Sequence, residues 1–487
     1  MREIDDGPDH ALREKGNRLM NVRGCAGRTR LAGVLLLSGL SLGAQALATV
    51  DDKTGLPAGS VLDEDAIESP REVFHSQAIR GRKSYLSNLG NLAFNSPYIL
   101  GDAARKAHLS CSSCHVNGAS NPKFFIPGLS TRPGNFDTTS AFFNPETDNG
   151  VLDPLTIPSL RGARFLAPYG HDGRTASLRD FVRNVIVNEF AGPPPSAEIL
   201  DAVVIYIEDI DFLPNPGLDA AGRLPPGANP SQRRGEALFV KPFPHDPSLS
   251  CAGCHIPSAA FVDHRQHDVG SGGLYKTPTL LNADFNAPYF HDGRFDDYGQ
   301  VIDHFNRAFD LKLDEQDRAD LKAYLAAIGD GVRPSYRLTG PNVLGDIDEL
   351  AGVLDIAISR RDTDVIALVV RSLRDQLQDL ADHYPDVESG EISGGIRERA
   401  LARATMAVLT QTLQRVGDDA AAGRFDEAAG EYLNYRKLTA AAAPFALQAA
   451  DPWSLFDPAL HAAHRRSAAS RGSARIAAQP PSDHAAN

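Results

Sequence analysis

Apolar positions at helical spacing recur along the chain and come in two matching sets. After Ser177-Leu-Arg-Asp180, a helix-capping signature, Leu178, Phe181, Val182, Val185 and Ile186 fall on one face. Ser196 opens a second helix whose Leu200, Val203, Val204 and Ile207 face a core, stopped ahead of Pro214 and Pro216. The same pair returns at 298–309 and 314–328, the latter burying Leu321, Tyr324, Leu325 and Ile328. The Pro/Gly-rich stretch 214–230 separates the two sets as a linker. From Gly345 the patterns lengthen, at about 345–360, 364–383, 395–416 and 424–442, with Ile347, Leu350, Leu354 and Ile358 on one stripe. These predict a mainly α protein ending in a helical bundle at 336–450. Residues 451–487, rich in Ala, Ser, Pro and His, read as a disordered tail in which His461, His464 and His484 are solvated.

At the other end, Arg23, Arg28 and Arg30 precede the apolar run Leu31–Leu42 and the small-residue sequence Ala46-Leu-Ala48. Residues 1–48 read as a secretory signal peptide cut after Ala48. Residues 1–19 mix five acids with four bases, which points to Met20 as the true start. Export implies a periplasmic protein with no stable membrane insertion after cleavage. Residues 1–48 hold seven Lys/Arg against five Asp/Glu, so their removal takes the formal net charge from −13 to −15. That balance excludes nucleic acid as partner and permits docking with a basic redox protein.

Of five cysteines, Cys25 leaves with the signal peptide, and the other four form Cys111-Ser-Ser-Cys114-His115 and Cys251-Ala-Gly-Cys254-His255. C-x-x-C-H has the spacing for two thiols to reach the two vinyl groups of one porphyrin while the next residue turns its imidazole onto the iron. Zinc sites and thioredoxin-like pairs do not account for two copies each with an adjacent His. The motifs therefore predict two covalently bound haem c groups, with His115 and His255 as proximal ligands.

The repeat extends beyond the cysteines. Pro158–Arg174 aligns without gaps to Pro278–Arg294, identical at eleven of seventeen positions, 56 and 36 residues respectively from the motif His to the His of the shared PYxHDGR turn. The first copy thus carries an insertion of about twenty residues, placed in 117–153. The expected organisation is two tandem cytochrome c-type haem domains at 49–225 and 226–335, then the bundle.

The distal face of each iron decides its chemistry: two axial ligands give electron transfer, and an open face admits peroxide or oxygen. Methionine is nearly excluded, because beyond residue 48 only Met406 remains. Candidate sixth ligands are His304, His267 and His291. His171 is the one histidine after the first motif within its unit, and it and Glu189 are candidate catalytic groups there. Arg174 and Arg294, repeated in identical turns, suit pairing with haem propionates.

With its two C-x-x-C-H units and Thr277-Pro-Thr-Leu280…Ala287-Pro-Tyr-Phe-His-Asp-Gly293, the sequence resembles the bacterial di-haem cytochrome c peroxidase family and its MauG-like relatives over about residues 85–335. The resemblance implies one electron-transfer haem and one reactive haem, hydrogen peroxide as oxidant, a small electron-donor protein such as a cytochrome c or cupredoxin, and a calcium ion between the units. The family's Met or Tyr ligand falls at Phe305 and, in the first unit, at Val185. Its FWDGR segment is replaced by PYGHDGR, and the sole Trp is Trp453. The first haem is therefore expected to be the reactive one in a peroxidase-like oxidoreductase. A di-haem electron carrier without substrate, and a MauG-like oxidase of a protein or organic molecule, are the rival readings.

Overall fold

The computed structural model describes residues 55–62, 70–386 and 394–466; the expected signal peptide lies outside them. Helix dominates, and strands are confined to three two-residue antiparallel pairs, Val73–Phe74 with Ile210–Asp211, Asn135–Phe136 with Leu155–Thr156, and Gln266–His267 with Tyr275–Lys276.

Each repeat unit is built on two crossed helices. In the first, Tyr85–Phe94 packs against Ala197–Asp209; in the second, Pro230–Phe239 packs against Glu315–Gly329. A glycine sits at each crossing for a steric reason: a Cβ on Gly90 would collide with the Ala202 carbonyl, and one on Gly235 with that of Asp320. Four residues on, Phe94 and Phe239 touch Tyr206 and Tyr324, ring centroids 5.1 and 5.2 Å apart. The helices that open each unit were missed from the sequence, although Gly-Asn-Leu-Ala-Phe and Gly-Glu-Ala-Leu-Phe are a second, shorter repeat that marks them.

The expected helices are present with small shifts. Ser177 and Ser196 accept from Asp180 N and Ile199 N as caps. The helix Leu178–Asn184, however, widens into a π-turn at Val185–Glu189, whereas its counterpart Tyr298–Ala308 is regular α throughout.

The C-terminal helices are Gly340–Ala351, Val353–Arg360, Thr363–Asp382, Ile396–Ala421, Phe425–Ala440 and Ala442–Ala450. They share one continuous apolar core with the first unit, whereas the second unit keeps a separate core around Phe239, Phe261, Ile302, Leu321, Tyr324 and Ile328. Contact runs through Tyr85–Phe94, which lies against three of the bundle helices, with Arg71–Asp346 (2.9 Å) and Arg360–Glu198 (3.1 Å) across the seam. The reading of 451–487 as a tail is corrected over its first part. Ser454 is fully buried, Leu455 N donates to His383 O (2.8 Å), Phe456 stacks on the His383 ring, and 458–466 are helical, carrying His461 and His464. His484 lies outside the described residues. Among them no helix is long and apolar enough to cross a membrane.

Candidate functional site

Both C-x-x-C-H motifs form a single helical turn, Cys111–Cys114 and Cys251–Cys254, with the following histidine at its end. No disulfide joins the four cysteines. His115 Nδ1 donates to Pro158 O (2.9 Å) and His255 Nδ1 to Phe261 O (3.1 Å), which leaves Nε2 of each ring as the unprotonated nitrogen. Burial holds both imidazoles below the ordinary histidine range, His115 at about 4, so both are neutral and able to ligate a metal. Phe94 and Phe239 stand beside the two rings, each 6.4 Å between centroids.

In the second unit Cys251, Cys254 and His255 line a cavity of about 510 Å³ walled by Phe239, Phe305, Phe309, Leu321 and Leu325. An apolar slot of this size with two thiols and a neutral imidazole on its wall fits a porphyrin. Cys254, Asp263 and His267 also lie close enough to hold a metal ion. The carboxylate of Asp263 takes His267 Nε2 at 2.6 Å, with Cys254 Sγ 3.7 Å away. His267 is thereby drawn to the cysteine side.

His304 does not reach this cavity: Nε2 donates to Val269 O (2.7 Å) and the ring packs against Phe290 and Phe295. Of the three histidines considered as sixth ligands, His267 and His291 line the cavity, and the His291 ring stacks on Tyr275 at 3.8 Å.

His171 is also relocated. Its Nε2 donates to Thr156 O (2.8 Å), burial lowers it to about 4, and it lines the cavity of the second unit. A distal role in its own unit is not what this placement provides. The PYxHDGR turns are instead junction pieces, each clasped by the hairpin of the other unit. Thr156 N donates to His291 O (2.7 Å) and Lys276 N to His171 O (2.9 Å); Asn135 Nδ2 donates to Asp292 O and Gln266 Nε2 to Asp172 O. Lys276 Nζ donates to Leu166 O and Pro168 O, 2.7 Å each. Arg174 and Arg294 do not stand ready for propionates either. Arg294 grips Asp292 through Nε and Nη2, and Arg174 is held by Asp172 and Glu189, so carboxylates already fill both forks.

Glu189 ends the π-turn of the first unit. Its Oε1 accepts from Arg174 Nη2 (3.0 Å) and Asn184 Nδ2 (3.3 Å). Burial raises its pKa above the usual carboxylate range against the opposing pull of Arg174. Counted from the shared turn, Glu189 stands where the second unit has Phe309, a wall of the cavity. The insertion of the first unit secures it: Asn144 Nδ2 and Thr147 Oγ1 both donate to Asn188 O (2.6 and 2.9 Å), and Phe143 packs on Phe190 at 4.7 Å. Nothing in the hydrophobic pattern announced the π-turn, since its Val185, Ile186 and Val187 continue a helical stripe.

Residues 232–335 match the family model described as di-haem cytochrome c peroxidase. The chain is 26% identical over 309 residues to hydrazine synthase subunit gamma of Kuenenia stuttgartiensis, covering 50% of this chain and 78% of that protein. It is 28% identical over 126 residues to the methylamine utilization protein MauG of Methylorubrum extorquens, covering 20% of this chain and 34% of the other. Over 64 residues it is 41% identical to the cytochrome c peroxidase Ccp of Escherichia coli (strain K12), covering 12% and 14%. The chain thus spans 34% and 14% of the lengths of the last two. Over these stretches the chain is similar to di-haem cytochrome c peroxidase and to MauG.

Proposed function

We propose that this is an exported, periplasmic di-haem c-type oxidoreductase that reduces hydrogen peroxide with electrons from a small redox protein, and that the first unit is its reactive site. Cys111 and Cys114 would hold one haem by thioether bonds with His115 on its iron, and Cys251, Cys254 and His255 the other. Haem, when bound, supplies the iron that takes the oxidant and passes electrons to it.

The observation that carries the reading is Glu189. A π-turn and an insertion, both particular to the first unit, converge on one largely buried carboxylate where the second unit has Phe309. Proton transfer is what peroxide reduction asks of the protein, since two protons and two electrons turn one peroxide into two waters. With haem in place, the Glu189 carboxylate would accept a proton from one peroxide oxygen and donate it to the other. Arg174 and Asn184 hold Oε1 in place for both transfers. The second unit, with Phe305 and Phe309 at the corresponding places, offers no such group there and suits electron uptake.

Steady-state peroxide consumption with a reduced small cytochrome or cupredoxin, on protein poised half-reduced, tests this. Glu189→Gln should lower turnover by about 10²–10⁴-fold while leaving both haems attached. An absence of turnover with every donor, together with only low-spin signals in the half-reduced state, would favour the electron carrier instead. An open haem that oxidises organic or protein substrates but not a donor would favour the MauG-like reading.

A further inference from the structure

At the junction, two residues in matching positions of the repeat do the same mechanical work with different chemistry. Thr156 Oγ1 donates to Phe290 O (3.0 Å) in the turn of the second unit, and Lys276 Nζ donates to Leu166 O and Pro168 O in the turn of the first. A neutral hydroxyl suffices on one side. On the other stands an ammonium that is largely buried, with the Tyr169 ring 5.8 Å away and no carboxylate within ion-pair distance among the described residues. The titratable groups facing it are the neutral His171 and Tyr169. Burial pulls its pKa to about 8, so the charge persists at neutral pH at a cost that clasping alone does not explain.

Lys276 also lines the cavity walled by Cys251, Cys254 and His255. A buried positive charge beside a redox centre favours the reduced form, and low surrounding polarity lengthens its reach.

We propose that Lys276 is a positioning charge built into the junction: it fixes the turn of the first unit and raises the reduction potential of the haem held by the second. This rests on reading the two motifs as haem sites, and it makes the second haem the readier acceptor from a donor protein. It does not depend on peroxide chemistry.

The test is a spectroelectrochemical titration of the full chain with both haems attached and no peroxide present, so its outcome is separate from any loss of peroxide turnover. Lys276→Met should shift the equilibrium between the second haem and a fixed-potential mediator toward oxidised haem by about tenfold, and the first haem by less. Lys276→Arg, which keeps the charge, should stay within about threefold of the parent. If Lys276→Met does not accumulate, Lys276→Thr replaces it, carrying the residue the chain already accommodates at Thr156. EGTA should leave both potentials of the parent unchanged. Equal potentials in the parent and the neutral variant would overturn the proposal, as would an Arg variant displaced as far as the Met one. So would a fall in the second potential on chelation that calcium reverses, because a bound metal would then set the charge.

Discussion

Glu189 and Arg174 meet at 3.0 Å in a setting that opposes two influences on one carboxyl group: burial raises its pKa and the guanidinium lowers it, and burial prevails. As a proton acceptor the group must be ionised. Peroxide turnover should therefore decline as pH falls through a value above the usual carboxylate range, and Glu189→Gln should abolish that acid limb as well as lower the plateau. A pH series of turnover on parent and variant reads both effects; an acid limb that survives in the variant would assign it to another group. At this scale the sequence was legible where chemistry is tied to local spacing. Two cysteines and a histidine within five positions form one turn in each unit. It was not legible where a side chain's partner lies far away in the chain: His304 is claimed by Val269 O, 35 residues back, and the Ala167 carbonyl by His264, 97 residues on.

Among the elements, the crossing of the opening and closing helices in each unit is the least forgiving. Glycine ordinarily weakens a helix by about 1 kcal/mol relative to alanine, so Gly235→Ala would stabilise Pro230–Phe239 taken alone. In the folded unit the added methyl meets the Asp320 carbonyl on the facing helix, and overpacking of this kind costs about 1–3 kcal/mol or more. The clash should win, giving a lower denaturant midpoint for the second unit with the first little changed, followed through each haem's absorbance. The expectation fails if the variant is as stable as the parent. Periodicity identified the closing helices because they carry broad apolar stripes. Of the opening helices, Pro230–Phe239 escaped because it buries only Gly235 and Phe239 fully, too few positions for a stripe, and Tyr85–Phe94 because its buried positions run almost unbroken from Ser87 to Phe94 and include polar Ser87 and Asn88.

For the whole molecule, the organising fact is that the bundle and the first unit are one hydrophobic body while the second unit is another. Leu373 is fully buried on Thr363–Asp382, the helix that packs against Tyr85–Phe94. Leu373→Ala should cost about 2–5 kcal/mol, and the unfolding signal of the first haem should move with that of the bundle. The second haem should lag behind. If both haems shift equally, or only the bundle signal moves, the two-body description is wrong. Separate apolar patterns did reveal a bundle and two repeats, but which patterns fuse depends on the outer faces of helices far apart in the chain, and periodicity carries no record of that pairing.

The shared core also bears on how the chain is made. The second unit finds its packing partners within about a hundred residues, from Pro230 to Gly329, whereas Tyr85–Phe94, once crossed by Ala197–Asp209, still lacks the helices from Gly340 onward that complete its core. Closing the shorter loop costs less entropy. The unit synthesised second should therefore be the one that matures first, its cysteines presented to the attachment machinery on a finished surface while Cys111 and Cys114 are still part of an open one. Chains truncated at residue 335 and probed by brief proteolysis should show a resistant fragment spanning 230–329 and a susceptible N-terminal unit.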